Sequence, residues 1–209
     1  MNDVSIGPQA YLILCRPEAQ SELSAYGATA PIASLSLNNT GQVLQLFDDR
    51  NILISRVSYT DKWYRDDSKS NGGWSLEQID PSSPCLGSKN WMASINISGG
   101  TPGGINSVYS TNQLIPLPEM VVPISNHQIK VIFNQDMDSL SSIDRTNYSI
   151  SPNLENPESV ELSGPDFTTI ILHFITNFDS ASSYILYFST QIHNCIGQAI
   201  PENTFWEFN

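Results

Sequence analysis

The chain has 209 residues, enough for one large or two small domains with cores of their own. Lys and Arg number 9 against 21 Asp and Glu, a net charge of −12, so the basic footprint that nucleic acid or an anionic membrane surface requires is absent. Only 14 % of residues are charged and Ser, Thr and Asn abound, a texture that suits exported β-proteins better than cytosolic enzymes.

In chain order, Ala10–Cys15 (AYLILC) reads as a buried strand. Arg16–Pro31 is irregular, with room for a helical turn over Glu18–Leu23. Ser34–Leu37 alternates as a short strand and Asn38-Asn39-Thr40-Gly41 turns it. Gln42–Phe47 and Ile52–Tyr59, joined by a turn at Asp48–Asn51, predict an antiparallel hairpin. Asp61–Gly73 is a polar loop. Its Asp61, Asp66 and Asp67 lack the converging D-x-[DN]-x-[DN]-G spacing of a calcium loop, so a solvated loop is expected. Trp74 and Leu76 alternate as core-facing strand positions, and Asp80-Pro81 stops that strand because proline gives no ladder donor. Ser82–Asn90 is then a loop anchored by Trp91, and Gly99–Gly104 is a turn or exit.

Val108–Pro123 has spaced prolines and reads as a semi-rigid extended connector. The pattern restarts at Ser125. Ile129, Val131 and Phe133 share one strand face. Asn134–Asp138 turns, and a short helix over Asp138–Asp144 is expected with Asp138 as its N-cap and Leu140 and Ile143 inward. Strands follow at Thr146–Ser151, around Val160 and Leu162, at Thr168–Phe174, at Tyr184–Phe188 and at Thr204–Phe208, with a turn at Gly164-Pro165-Asp166. Short strands at this spacing predict a β-sandwich.

Three cysteines occur, Cys15, Cys85 and Cys195, without C-x-x-C or zinc-finger spacing. Cys15 and Cys85 fall in the same half and are the candidate disulfide in an oxidising compartment; the alternative is two small buried apolar residues. His127, His173 and His193 are scattered over strand and turn positions, so no metal site is expected. No G-x-S-x-G and no phosphate loop occur, and GGTPGG precedes no helix. Asp136 and Asp138 flank a turn rather than face each other across a cleft. No catalytic residue and no cofactor are therefore expected. Trp63, Tyr64 and Trp91, in or beside loops, are candidates for binding a glycan or partner protein, with plugging of the domain end as the alternative. No apolar run is long enough to span a membrane. MNDVSIGPQAY lacks the basic and apolar regions of a signal peptide, so an exported protein would be represented here by a processed or trimmed piece.

GGWSLEQID, PC, NW and ASINISGGTPGGINS, with YLILC, SLSLNNTGQVLQLFDDRN and VSYTDKWY upstream, resemble the lamin tail domain as it occurs in exported proteins of Bacteroidetes-type bacteria. That resemblance implies an Ig-like β-sandwich over residues 1–110, lacking one or more N-terminal strands, in which Gly73, Trp74, Leu76, Glu77, Asp80, Trp91, Gly100, Pro102 and Gly103 are structural. IKVIFNQDMDS, NYSIS, SSYILYFST and QIHNCIGQAI resemble the Ig-like domain of bacterial surface-layer proteins. Here Asn194–Gln198 stands where that family has an Asp-x-x-Gly-Asn turn. Together they imply an all-β protein of two tandem Ig-like sandwiches, 1–110 and 125–209, joined by a linker at 111–124. The role expected is a non-catalytic spacer or adhesive module of a cell-surface or secreted protein. The alternatives are a glycan- or protein-binding module, or an accessory part of an exported nuclease or phosphatase. Expected partners are other domains of a larger polypeptide, surface proteins or glycans, or a second copy through an exposed sheet edge.

Overall fold

The computed structural model describes residues 5–111, 114–152, 155–164 and 167–209. The chain is all-β with short helical turns, and it divides into two units: Met1–Pro81 with Ser88–Thr111, and Ser82–Gly87 with Asn112–Asn209.

The first unit holds β1 (Ile13–Cys15), β2 (Thr29–Pro31), β3 (Gly41–Phe47), β4 (Leu53–Thr60), β5 (Leu76–Gln78) and β6 (Trp91–Ala93). They pair as three separate two-stranded sheets: β1 with β2 in parallel, β3 with β4 and β5 with β6 antiparallel. The parallel pair needs a crossover, and the expected helical turn supplies it as a 3-10 turn at Pro17–Ala19 running into α1 (Gln20–Leu23). The hairpin forms as the sequence predicts. Residues 5–12 form no strand, and Ser34–Leu37 is turn and irregular chain rather than strand. This stretch is held instead by side chains: the Arg16 Nε, 19 residues earlier, donates to the Leu35 carbonyl at 2.7 Å, and in the following turn the Thr40 amide donates to Asn38 Oδ1 at 3.0 Å.

The expected core alternation of Trp74 and Leu76 is corrected. β5 begins only at Leu76, both residues are half-buried, and the side chain that points inward is Glu77, 3 % exposed. Trp74 lies on the bend before the strand, its ring capped by the Lys69 ammonium 4.3 Å from the centroid. Among the described residues, the buried side chains of this unit include more polar groups (Glu77, Asp80, Asn90 and Ser94) than apolar ones (Cys15, Ala93 and Val108).

The second unit is a two-layer sandwich. One sheet has the order β10–β11–β8–β7, built from β7 (Pro118–Ser125), β8 (Gln128–Phe133), β10 (Ser159–Leu162) and β11 (Thr169–His173). The other has the order β13–β12–β9, from β9 (Tyr148–Ser151), β12 (Tyr184–Phe188) and β13 (Phe205–Phe208). Ile129, Val131 and Phe133 of β8 alternate inward as expected, and with Ile170, Leu172, Leu186 and Phe188 they form one apolar core between the layers. Phe133 and Phe188 meet edge to face across it, 6.3 Å between centroids. The Tyr148 hydroxyl donates to the Ser142 carbonyl at 2.7 Å, and burial with the nearby Asp144 charge raises its pKa.

The linker expected at 111–124 is overturned over its second half, because Pro118–Ser125 is a strand paired with β8. Its prolines are tolerated there because β7 is an edge strand, and its register shifts at Pro118/Met120 and Pro123/Ser125. The helix α2 (Ser139–Ile143) is present, with Asp138 accepting from the Ser141 amide at 2.8 Å as its N-cap. Its expected inward residues are not inward: Leu140 is 76 % and Ile143 40 % exposed, and Ser142 is the buried position. Of the expected turn at Gly164-Pro165-Asp166, the last two residues lie outside the described ones.

Candidate functional site

Glu77 is a buried carboxylate of the first unit, and its surroundings are set by sequence far downstream. Its Oε1 accepts from the Thr101 hydroxyl at 2.7 Å and the Ser75 hydroxyl at 3.2 Å; its Oε2 accepts from the Ser107 amide and hydroxyl, each at 2.7 Å. Ser107 Oγ in turn accepts from the Ile95 amide at 2.9 Å and lies 3.0 Å from Ser94 Oγ. Burial pushes the Glu77 carboxyl upward, but the hydrogen bonds from Ser107, Thr101 and Ser94 outweigh it and hold the group below its ordinary value. Glu77 is thus an ionised post on which residues 94–107 are hung. The glycines of that segment are there for close approach: Gly99 and Gly103 have positive φ of 84° and 71°, and a Cβ on them would run into the carbonyls of Gly73 and Tyr26. Nearby, Asn90 is buried with its side chain bridging the Asp80 backbone, accepting from the amide at 2.8 Å and donating to the carbonyl at 2.7 Å.

Beside Glu77 opens a cleft of about 610 Å³ whose walls include Glu22, Tyr26, Trp74, Thr101 and Asn106. Tyr26 is 57 % exposed, so the cleft has an aromatic wall and polar groups around it. Neither Tyr26 nor Glu22 stands out in the sequence as a binding residue: Glu22 lies in the expected helical turn and Tyr26 in the irregular chain after it.

The aromatic residues expected to bind a ligand are all half-buried. Trp63 and Trp91 pack against each other at 6.2 Å, and the Tyr64 hydroxyl donates to the Trp74 carbonyl at 3.0 Å, its pKa raised by burial and by Tyr59. Of the structural positions, Asp80 is buried, Gly100 and Gly103 are half-buried, and Gly73 and Pro102 are exposed.

The disulfide expected between Cys15 and Cys85 is not the one that forms. Cys85 bonds Cys195, with 5.6 Å between Cα atoms, and Cys15 is a buried free thiol. The pairing follows from the backbone of residue 136. The Asp136 amide donates to the Cys85 carbonyl at 2.7 Å, and the Cys195 amide donates to the Asp136 carbonyl at 3.1 Å, which brings both half-cystines to one place. The turn after Cys195 is organised by buried Asn194. Its Oδ1 accepts from the Gln198 and Ile196 amides at 2.8 and 3.2 Å, and its Nδ2 donates to Gln135 Oε1 at 3.1 Å.

The remaining titratable groups stay apart. Asp48 accepts from the Ile52 and Arg50 amides, Asp66 from Ser68, and Asp144 from Thr146, and each carboxyl is lowered by those bonds, Asp48 chiefly by Ile52. Asp138 is lowered in the same way by Ser141. His173 sits 3.5 Å from Glu161 and 3.1 Å from Gln128, away from His127 and His193 in bonding pattern. Among the described residues no three His, Cys, Asp or Glu side chains are grouped for a metal. Among the described residues no helix is long and apolar enough to cross a membrane.

No protein-family model matches the chain, and no curated protein matches it. Solved structures that bear a likeness to part of it include three of surface-layer proteins. The first is the crystal structure of the S-layer protein rSbsC(31-844), 25 % identical with a TM-score of 0.41, covering 46 % of this chain and 14 % of that one. The second is surface layer protein SbsC, domains 1-6, 24 % identical with a TM-score of 0.41, covering 46 % and 13 %. The third is the N-terminal part of the bacterial S-layer protein SbsC, 23 % identical with a TM-score of 0.40, covering 46 % and 24 %. This chain therefore spans under a quarter of the length of each.

Proposed function

We propose that the chain is a non-catalytic structural module of an exported bacterial protein, spacing or anchoring neighbouring domains at the cell exterior. The observation that carries this is the Cys85–Cys195 disulfide, which closes 110 residues of sequence and belongs to an oxidising compartment. The carboxylates support it. Glu77, Asp48, Asp66, Asp138 and Asp144 are each occupied in holding a loop, turn or helix end, as side chains of a structural module are. In this reading the first unit is of lamin-tail type and the second of surface-layer Ig type, on the sequence motifs given above. Protease added to intact cells that carry the gene should degrade the protein, and protein purified from untreated cells should contain one free thiol per chain. Complete protection from external protease would refute an exterior location.

A second reading is a glycan-binding module, favoured by the cleft lined by exposed Tyr26, Trp74 and polar side chains. A glycan array probed with the wild type and with Tyr26→Ala decides it: binding lost in the variant supports the reading, and a blank array for the wild type rejects it.

A further inference from the structure

We propose that two copies of this chain associate by pairing the free edges of β3 antiparallel, giving a four-stranded sheet of order β4–β3–β3–β4. Among the described residues, β3 and β4 are hydrogen-bonded to each other and to no other strand, and a lone two-stranded ribbon is marginal in water. The two outer edges of this ribbon are not alike. β3 (GQVLQLF) has no charged side chain and no proline, so it lacks the usual devices that discourage edge pairing. β4 carries Arg56, and the register shift opposite Leu46/Phe47 leaves Ile54 without a partner, a bulge on that edge. One open edge and one guarded edge give a closed twofold pair rather than a growing fibre.

Two features favour a second copy as the occupant. The first is charge. Within residues 41–60 the charged side chains are Asp48, Asp49, Arg50 and Arg56, a net charge of zero, with Arg50 paired to Asp48 at 2.8 Å, whereas the whole chain carries −12. Two copies can meet at this ribbon without the repulsion that most of their surface imposes. The second is the edge strand's own side chains: Val43, Leu46 and Phe47 of β3 are 45 %, 54 % and 43 % exposed, apolar surface that a second β3 alongside would partly cover.

Light scattering across about 1–100 µM, the range in which a small interface is populated, should show the wild type passing from monomer to dimer. Val43→Lys with Gln45→Lys, two exposed positions on β3, should remain monomeric throughout with an unchanged melting temperature. Ser58→Lys on β4 should dimerise like the wild type. A measurement that needs no variant is amide hydrogen exchange, in which β3 gains protection with concentration and β4 does not. A monomeric wild type at the highest concentration, a dimer that survives both β3 lysines, or exchange in β3 that ignores concentration would each overturn the proposal.

Discussion

Replacing Cys85 and Cys195 together by serine tests the pairing and its energetic weight. The bridge spans 110 residues of sequence. For a loop of that length the loss of unfolded-chain entropy is worth about 4.8 kcal/mol at 25 °C. If the first unit stays folded while the second unfolds, residues 88–111 drop out of the flexible loop. The figure then falls only to about 4.6 kcal/mol, because loop length enters as a logarithm. Residual structure in the unfolded chain trims either value, so a loss of about 3–5 kcal/mol is expected. Trp206 is the one tryptophan of the second unit, and Trp63, Trp74 and Trp91 lie in the first, so a variant retaining only Trp206 reports urea unfolding of the second unit. The midpoint should drop sharply against the same protein with the bridge intact, and labelling under denaturing conditions should count three thiols in the reduced chain against one in the oxidised. A loss under about 1 kcal/mol, or an equal loss from Cys15→Ser alone, would show that the bridge is elsewhere and that the hydrogen bonds at Asp136 do not set the pairing.

Phe133→Ala, which empties a site only 1 % exposed, should cost the second unit about 3–5 kcal/mol, while Leu140→Ala on the exposed face of α2 should change its urea midpoint by an amount equivalent to less than about 0.5 kcal/mol. Glu77→Gln should destabilise the first unit by about 1.5–3 kcal/mol, the weight of hydrogen bonds to a charged acceptor, as read by its tryptophan fluorescence in urea. Because the folded carboxyl of Glu77 is lowered, its contribution is complete above the ordinary glutamate value near 4.5 and fades as pH falls through the folded value; the glutamine variant should lose that part of the acid sensitivity. Limited proteolysis should cut among residues 111–117, upstream of β7, and the two fragments should separate on a gel only after reduction, since Cys85 lies before the cut and Cys195 after it.

The second unit was legible in its sequence because its interior is apolar and its strands alternate with period two. Ile129, Val131 and Phe133 announce which face of β8 is inside, and the structure agrees. The same logic misassigns α2, where one helical turn is too short for periodicity to choose a face and the cap at Asp138 fixes the turn instead. It also misassigns β7, whose prolines read as a connector until the sheet is seen to end there. The cysteine pairing was unreadable for a different reason: the backbone bonds at Asp136 that bring Cys85 to Cys195 leave no trace in side-chain type.

The first unit defeats pattern reading at a deeper level. Its largest aromatic candidates, Trp74 and Trp91, are only half-buried, and the residue that ends up inside is Glu77, which any hydrophobic pattern assigns to solvent. A carboxylate takes that place only because four donors from Ser75, Thr101 and Ser107 meet it, the farthest of them 30 residues away. The signal was nonetheless present as composition. The run from Ser94 to Ser107 is rich in hydroxyls and glycines and poor in apolar side chains, which cannot build a core by themselves but can wrap a fixed charge. An interior of this kind is less tolerant than an apolar one. A core leucine can be replaced by a methionine of similar volume, but a charge with four donors has no isosteric substitute that keeps them all satisfied. The segment Gly99–Ser107 is therefore tied to Glu77 at Thr101 and Ser107 while forming no strand, and the fold of this unit depends on one ionised side chain to a degree that the second unit, with its shared apolar core, does not.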